Sequence, residues 1–196
     1  VIVLPSLLNQ SQCEALMKKA EGHYERSEMT VSRTKHEVSN ARTSTEVKLH
    51  PAETPYIQQL FAKVLACKPR ELSAAKVIRY EHGQQFESHH DGNRKAVMFV
   101  YLNTVASGGA TSFDKLSFRH EGQSMPLLIQ PEQGLAVIHF PAERSSRSED
   151  MRLDFRTKHS GLRAESPKFL CFQALPCQAP EFAENARVQR HGFGKV

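Results

Sequence analysis

The sequence has no tryptophan and only four cysteines, at positions 13, 67, 171 and 177, none of them in a Cys-x-x-Cys pair. A chain of 196 residues can bury a core without covalent staples, so free thiols are expected, with Cys171–Cys177 the one pairing left open. Long apolar runs are also missing: none approaches the roughly 18 residues that a spanning helix needs. Mean hydropathy is −0.48, which fits a soluble protein with no membrane partner. There is no internal repeat and no low-complexity tract. Nor does charge of one sign dominate, since 26 Lys and Arg against 21 Asp and Glu leave +5 spread along the chain, too diffuse to mark a nucleic-acid surface. The first residue is Val1 rather than Met, which suggests a trimmed start. A targeting peptide would then be illegible, and cytoplasm and secretory lumen stay equally open as compartments.

What the sequence does have is histidine, ten in all, the commonest side-chain metal ligand. The first third reads as helical support. A short apolar run ends at Pro5, Asn9 and Gln12 have the spacing of a capping box, and Cys13, Leu16 and Met17 follow at helical period. Residues 56–67 restore that period with Ile57, Leu60, Phe61, Val64 and Leu65 on one face. Residues 25–45 show no sustained apolar period. From residue 75 the texture turns to short β-type segments, at 75–80, 96–102, 127–130, 134–140 and 168–175, parted by Gly, Pro and Ser. Such spacing predicts a sandwich or barrel. The expectation is an α+β chain with a mainly β core, forming one domain over residues 1–177 with helical support in 1–74. Residues 142–156 read as a charged loop and 178–196 as a polar tail, both mobile.

The densest chemistry lies at Tyr80-Glu-His-Gly-Gln-Gln-Phe-Glu-Ser-His89-His90-Asp91. On an extended strand, residues two apart share a face. His89 and Asp91 can therefore aim at one point while His90 faces away. A third ligand from elsewhere would complete the two-histidine, one-carboxylate set that suits non-haem Fe(II) oxygenases. Taken alone, His-x-Asp is equally compatible with ordinary surface hydrogen bonds.

The ordered run of further pieces resembles the 2-oxoglutarate and Fe(II)-dependent dioxygenases, specifically their prolyl 4-hydroxylase-like branch. In order these are Tyr80, Gly83-Gln84, Phe86, His89-His90-Asp91, Arg94, Tyr101-Leu-Asn103, Gly108-Gly-Ala-Thr-Ser-Phe113, Pro131 through Phe140, His159-Ser-Gly161 and Lys168. Arg42-Thr-Ser44 and the entry helix near Cys13 resemble the N-terminal part of the same family, so the likeness extends to about Pro176. Two departures stand out. Only Gly92-Asn93 separates Asp91 from Arg94, where collagen and plant cell-wall enzymes carry a longer insert, and Phe169 stands where a Trp often follows the basic residue.

The resemblance implies a double-stranded β-helix (jelly roll) and His89, Asp91 and His159 as the Fe(II) ligands. It also implies 2-oxoglutarate as co-substrate, converted with oxygen to succinate and carbon dioxide, and ascorbate as reductant. Lys168 would meet the far carboxylate of 2-oxoglutarate. Tyr80 and Tyr101 would either border the co-substrate or pack in the core, and Thr111 would either line its pocket or be a plain strand residue. Arg94 would touch substrate or form a surface ion pair. No catalytic residue beyond the metal ligands is expected. His82, His120 and His139 carry no spacing argument and read as surface or satisfied histidines. The implied activity is 4-hydroxylation of a proline in a peptide or protein. The same chemistry on another protein side chain or a free amino acid is the alternative. Nucleic-acid demethylation is disfavoured, because such relatives follow the distal His with two spaced Arg residues. The sequence does not speak to oligomeric state.

Overall fold

The computed structural model describes residues 1–30, 36–144 and 151–177. It opens with β1 (Ile2–Leu4) and α1 (Gln10–Ala20), followed by the short strands β2 (Glu25–Arg26), β3 (Glu28–Thr30), β4 (His36–Val38) and β5 (Thr45–Lys48). Helix α2 (Pro55–Val64) precedes β6 (Lys76–Tyr80), β7 (Phe86–His89), β8 (Arg94–Tyr101), β9 (Thr111–His120), β10 (Gln123–Ile129) and β11 (Ala136–His139). The chain continues through β12 (Ala142–Arg144), β13 (Met151–Leu153), β14 (His159–Gly161) and β15 (Lys168–Pro176).

Both helices start as the sequence dictates. The Asn9 side chain accepts from the Gln12 N–H and the Gln12 side chain accepts from the Asn9 N–H, each at 2.9 Å, satisfying two of the donors a helix start leaves unpaired. Pro55 occupies the first turn of α2, where its missing N–H costs nothing.

Two antiparallel sheets face each other. The larger runs β1-β11-β8-β15-β6-β5-β2 and the smaller β10-β9-β14-β7. The central strands of the larger sheet are apolar on both faces, which explains their unbroken Val, Ile, Met and Phe runs. Val77, Met98, Val100, Ile138 and Cys171 point one way, onto Leu16, Ile57 and Phe61 of the helices. Their neighbours Ile78, Phe99, Tyr101, Val137 and Leu170 point the other way, toward Phe113 and Ile129 of the smaller sheet. Fully burying one such side chain stabilises by about 1.5–3 kcal/mol, so the two layers of core hold the sheets in register. This is the double-stranded β-helix expected.

Two expectations need revision. The first third is helical only in part: Thr45–Lys48 pairs with β6 and extends the large sheet, and β3 pairs with β4. The charged 142–156 stretch is not all loop, because Ala142–Arg144 pairs with Met151–Leu153. Its centre and the 178–196 tail lie outside the described residues. All four cysteines are free thiols. Among the described residues no helix is long and apolar enough to cross a membrane.

Candidate active site

Strand β14 pairs antiparallel with β7 so that His159 sits directly opposite His89. That register brings the imidazoles, seventy residues apart in sequence, to 4.3 Å between ring centroids. Asp91 follows two residues after His89. The ligand atoms of His89, Asp91 and His159 all lie within 4.8 Å of one another. His89 Nε2 is 4.0 Å from Asp91 Oδ1 and His159 Nε2 is 3.8 Å from Asp91 Oδ2.

Each imidazole is held by the same local device. Nδ1 of His89 lies 2.9 Å from the Glu87 carbonyl and Nδ1 of His159 lies 3.0 Å from the Thr157 carbonyl. A carbonyl only accepts, so both Nδ1 atoms carry the proton and both Nε2 lone pairs are free. Burial, and then the neighbouring His159, push the His89 imidazole down to about 3, which keeps it neutral. Burial alone would raise the Asp91 carboxyl. The hydrogen bond from His139, with the Arg94 guanidinium nearby, outweighs it and holds the group well below the usual carboxylate range. The result is two neutral nitrogen donors and one anionic oxygen donor converging on a point.

His90, the first residue past β7, is tied up elsewhere. Its Nε2 lies 3.2 Å from the Asp154 carbonyl and its Nδ1 accepts from the Gly92 N–H at 3.0 Å, so both nitrogens are engaged.

The three groups border a cavity of about 550 Å³ that also reaches Thr111, Lys168 and Arg94. Lys168 is 1% exposed. Its Nζ donates to the Gly109 carbonyl at 2.9 Å and lies 4.3 Å from the centre of the Tyr80 ring. Among the described residues no carboxylate pairs with it, and burial pushes its amine down to about 8. Gly109 comes this close because Gly108 and Gly109 both adopt φ near +70°, at +70° and +65°. A Cβ on Gly108 would stand 2.7 Å from the Arg163 carbonyl oxygen.

Tyr80 lines the cavity, but Tyr101 does not. The Tyr101 hydroxyl shares a 2.6 Å hydrogen bond with Thr111 Oγ1 and donates to the Ile129 carbonyl at 3.3 Å. Tyr101 thus sits behind Thr111, which reaches the cavity itself. Arg94 lies at the rim, about one third exposed. Its Nη1 donates to the Asp91 carbonyl and lies 3.4 Å from Asp91 Oδ1.

Two features escaped the sequence. His139, read as a surface or satisfied residue, is fully buried, and its Nε2 lies 2.8 Å from Asp91 Oδ2. Strand parity held the clue, since His139 shares the inward face of β11 with Val137. His82 fits the surface reading, with Nδ1 2.9 Å from the Glu165 carbonyl. The second feature is a buried charge network at the far wall: Glu46 takes Arg42 Nη2 at 2.8 Å and Lys76 Nζ at 2.6 Å. Arg42 lies 5.0 Å over the Phe86 ring, which stacks on His89 at 3.5 Å.

Residues 75–173 match the family model described as the 2OG-Fe(II) oxygenase superfamily. Among curated proteins the chain is similar to prolyl 4-hydroxylase 2 of Arabidopsis thaliana, at 25% identity over 171 residues, covering 74% of this chain and 57% of the relative. It is also similar to probable prolyl 4-hydroxylase 6 of the same plant, at 30% identity over 54% of this chain and 42% of the relative. The chain thus spans less than two thirds of the length of either. Among solved structures it is similar to the viral collagen prolyl hydroxylase of Paramecium Bursaria Chlorella virus-1, with a TM-score of 0.65 and 22% identity over 88% of this chain and 93% of that one. A prolyl hydroxylase of Trichoplax adhaerens, solved with a peptide, superimposes with a TM-score of 0.64 at 13% identity over 89% of this chain and 82% of that one.

Proposed function

The chain belongs to the 2OG-Fe(II) oxygenase superfamily, and from that premise we propose that it hydroxylates a proline in a peptide or protein. His89, Asp91 and His159 would hold Fe(II), and 2-oxoglutarate would be the co-substrate. One observation carries the reading: a neutral-His, neutral-His, carboxylate donor set and a buried lysine that has no acid partner among the described residues open onto one cavity. The donor set fits Fe(II), because two free Nε2 lone pairs from adjacent strands and an ionised carboxylate just past one of them leave the other side of the site open. Lys168 fits the co-substrate, because an unpaired ammonium in a dry pocket is costly until an anion reaches it.

When bound, iron and 2-oxoglutarate supply the oxidising chemistry, consuming oxygen and releasing succinate and carbon dioxide. The chain's own residues position and shield. The carbonyls of Glu87 and Thr157 fix the tautomers of His89 and His159. Lys168 would bind the far carboxylate, beside the Thr111 side chain that Tyr101 fixes from behind. Ile78, Phe99, Leu170 and Phe172 give the cavity an apolar wall that keeps water off the reacting C–H bond. Arg94 at the rim would face the substrate.

Proline as the target is supported by the relatives, which are prolyl 4-hydroxylases by name. The test is a panel of proline-rich peptides incubated with Fe(II), 2-oxoglutarate and ascorbate and read by mass spectrometry. One added oxygen on a proline residue is expected. Vigorous succinate release with every peptide unmodified would overturn proline as the target and favour another side chain or a free amino acid.

A further inference from the structure

His139 is the one imidazole at the site that no ligand motif includes, yet it is the most deeply enclosed. It is fully buried, whereas the His89 and His159 side chains are 15% and 9% exposed. Its two nitrogens are in opposite circumstances. Nε2 lies 2.8 Å from Asp91 Oδ2, while Nδ1 is buried with no hydrogen-bond partner among the described residues. A carboxylate only accepts, so Nε2 carries the proton. A second proton on Nδ1 would be stranded in the core, so the ring is neutral with a bare Nδ1.

The ring cannot turn to exchange these roles. It stands edge-on to Phe113 (5.5 Å) and to His159 (4.8 Å), at the end of a strand hydrogen-bonded to β8. Its single donor is thereby committed to one oxygen of Asp91. That commitment matters because Asp91 is not on a regular strand. It follows β7 in a segment whose next residue, Gly92, has φ +69°, so its backbone does little to fix the side chain.

We propose that His139 is a positioning residue for the metal site. It holds Oδ2 of Asp91 and, with Arg94 Nη1 3.4 Å from Oδ1, sets the rotamer of that carboxylate, so that Oδ1 is the atom offered to the metal. One-oxygen ligation keeps free the coordination position that a two-oxygen grip would occupy, which the co-substrate and oxygen need. The inference rests on the proposed Fe(II) site and deepens it.

The test uses the metal-free full chain titrated with Co(II), a spectroscopic stand-in for Fe(II). His139→Phe keeps a flat ring that fills the space but removes the donor. His139→Gln returns an N–H near the position of Nε2. Loss of a hydrogen bond behind a metal ligand weakens metal affinity by about 10–100-fold. His139→Phe is therefore expected to bind Co(II) that much more weakly and to show an altered visible absorption band, because the coordination around the ion changes. His139→Gln should recover most of the affinity and the parental band. Parental affinity and spectrum in His139→Phe would overturn the inference, as would a His139→Gln variant that folds and binds no better than His139→Phe. Should His139→Phe not fold, parental spectrum and affinity in His139→Gln against a weakened His139→Asn, whose shorter side chain cannot reach Oδ2, would support it, and equal binding by the two would overturn it. Asp91→Ala separates the layers. If it leaves Co(II) binding unchanged, the metal site itself is misassigned. If it abolishes binding while His139→Phe does not weaken it, only the role of His139 fails.

Discussion

At the scale of single residues, Lys168 is the most exposed to experiment because its environment is so one-sided. Its amine is pushed by burial from 10.5 to about 8, and the described residues supply it with one carbonyl and an aromatic face but no counter-charge. A charged hydrogen bond to a carboxylate contributes about 1.5–3 kcal/mol, so Lys168→Ala is expected to raise the 2-oxoglutarate concentration for half-maximal turnover about 10–100-fold. Metal affinity should barely move. The sign of the pH dependence follows from the lowered value. Below about pH 8 the free amine is charged and ready for an anion. As pH rises through 8, binding must first take up a proton, so 2-oxoglutarate affinity falls. Folding stability moves the other way, rising between about pH 8 and 10.5, where the unfolded chain holds a proton that the folded one has released. Isothermal titration at pH 7 and pH 9 checks the first, and chemical unfolding across the same range checks the second. A 2-oxoglutarate affinity unchanged between those pH values would remove Lys168 from the co-substrate site. His89 and Asp91 stand out in the sequence as a His-x-Asp pair, whereas His159 and Lys168 were singled out only through the resemblance of the ordered motifs to the family. The link from His139 to Asp91 was not, because it joins residues 48 positions apart across two sheets.

At the scale of elements, the site depends on where β11 starts. Gly134 sets that start. Its φ is +83°, its N–H donates to the Tyr101 carbonyl at 2.8 Å and its carbonyl accepts from the Leu7 N–H at 2.8 Å. An added Cβ would stand 2.1 Å from the Leu8 carbonyl oxygen, a backbone atom with nowhere to go. Gly134→Ala is expected to cost about 1–3 kcal/mol from the left-handed backbone alone, with more from the clash, measured as a shift in the denaturant midpoint. A parental midpoint would contradict this account of the turn. Element reading succeeded where burial leaves a pattern: α1, α2 and the strands β6, β8, β11 and β15 of the large sheet lie close to their expected places. It failed where neighbours across space do the work. β9 carries Ser, Asp, Lys and Arg over most of its length and is held mainly by the ladder to β10. Strand β5 shows no apolar alternation because Glu46 is buried against Arg42 and Lys76 rather than against a hydrophobic core.

At the scale of the whole molecule, two sheets bring together residues from β6, β7, β8, β9, β14 and β15 around one cavity, and helices cover the opposite face of the larger sheet. The order of motifs along the chain was enough to expect this architecture, because a double-stranded β-helix places each strand at a predictable position around the site. The +5 charge acquires a use at this scale: Lys168 and Arg94 on the cavity suit anionic and polar groups of small ligands rather than a nucleic-acid backbone. The central claim is that His89, Asp91 and His159 form a working Fe(II) site. It is tested most directly by measuring succinate formed from 2-oxoglutarate under air, with and without added Fe(II), by the parental chain and by Asp91→Ala. Iron-dependent succinate formation by the parent, lost in Asp91→Ala, is the predicted result. Turnover undiminished in Asp91→Ala, or none in an iron-loaded parent, would contradict it.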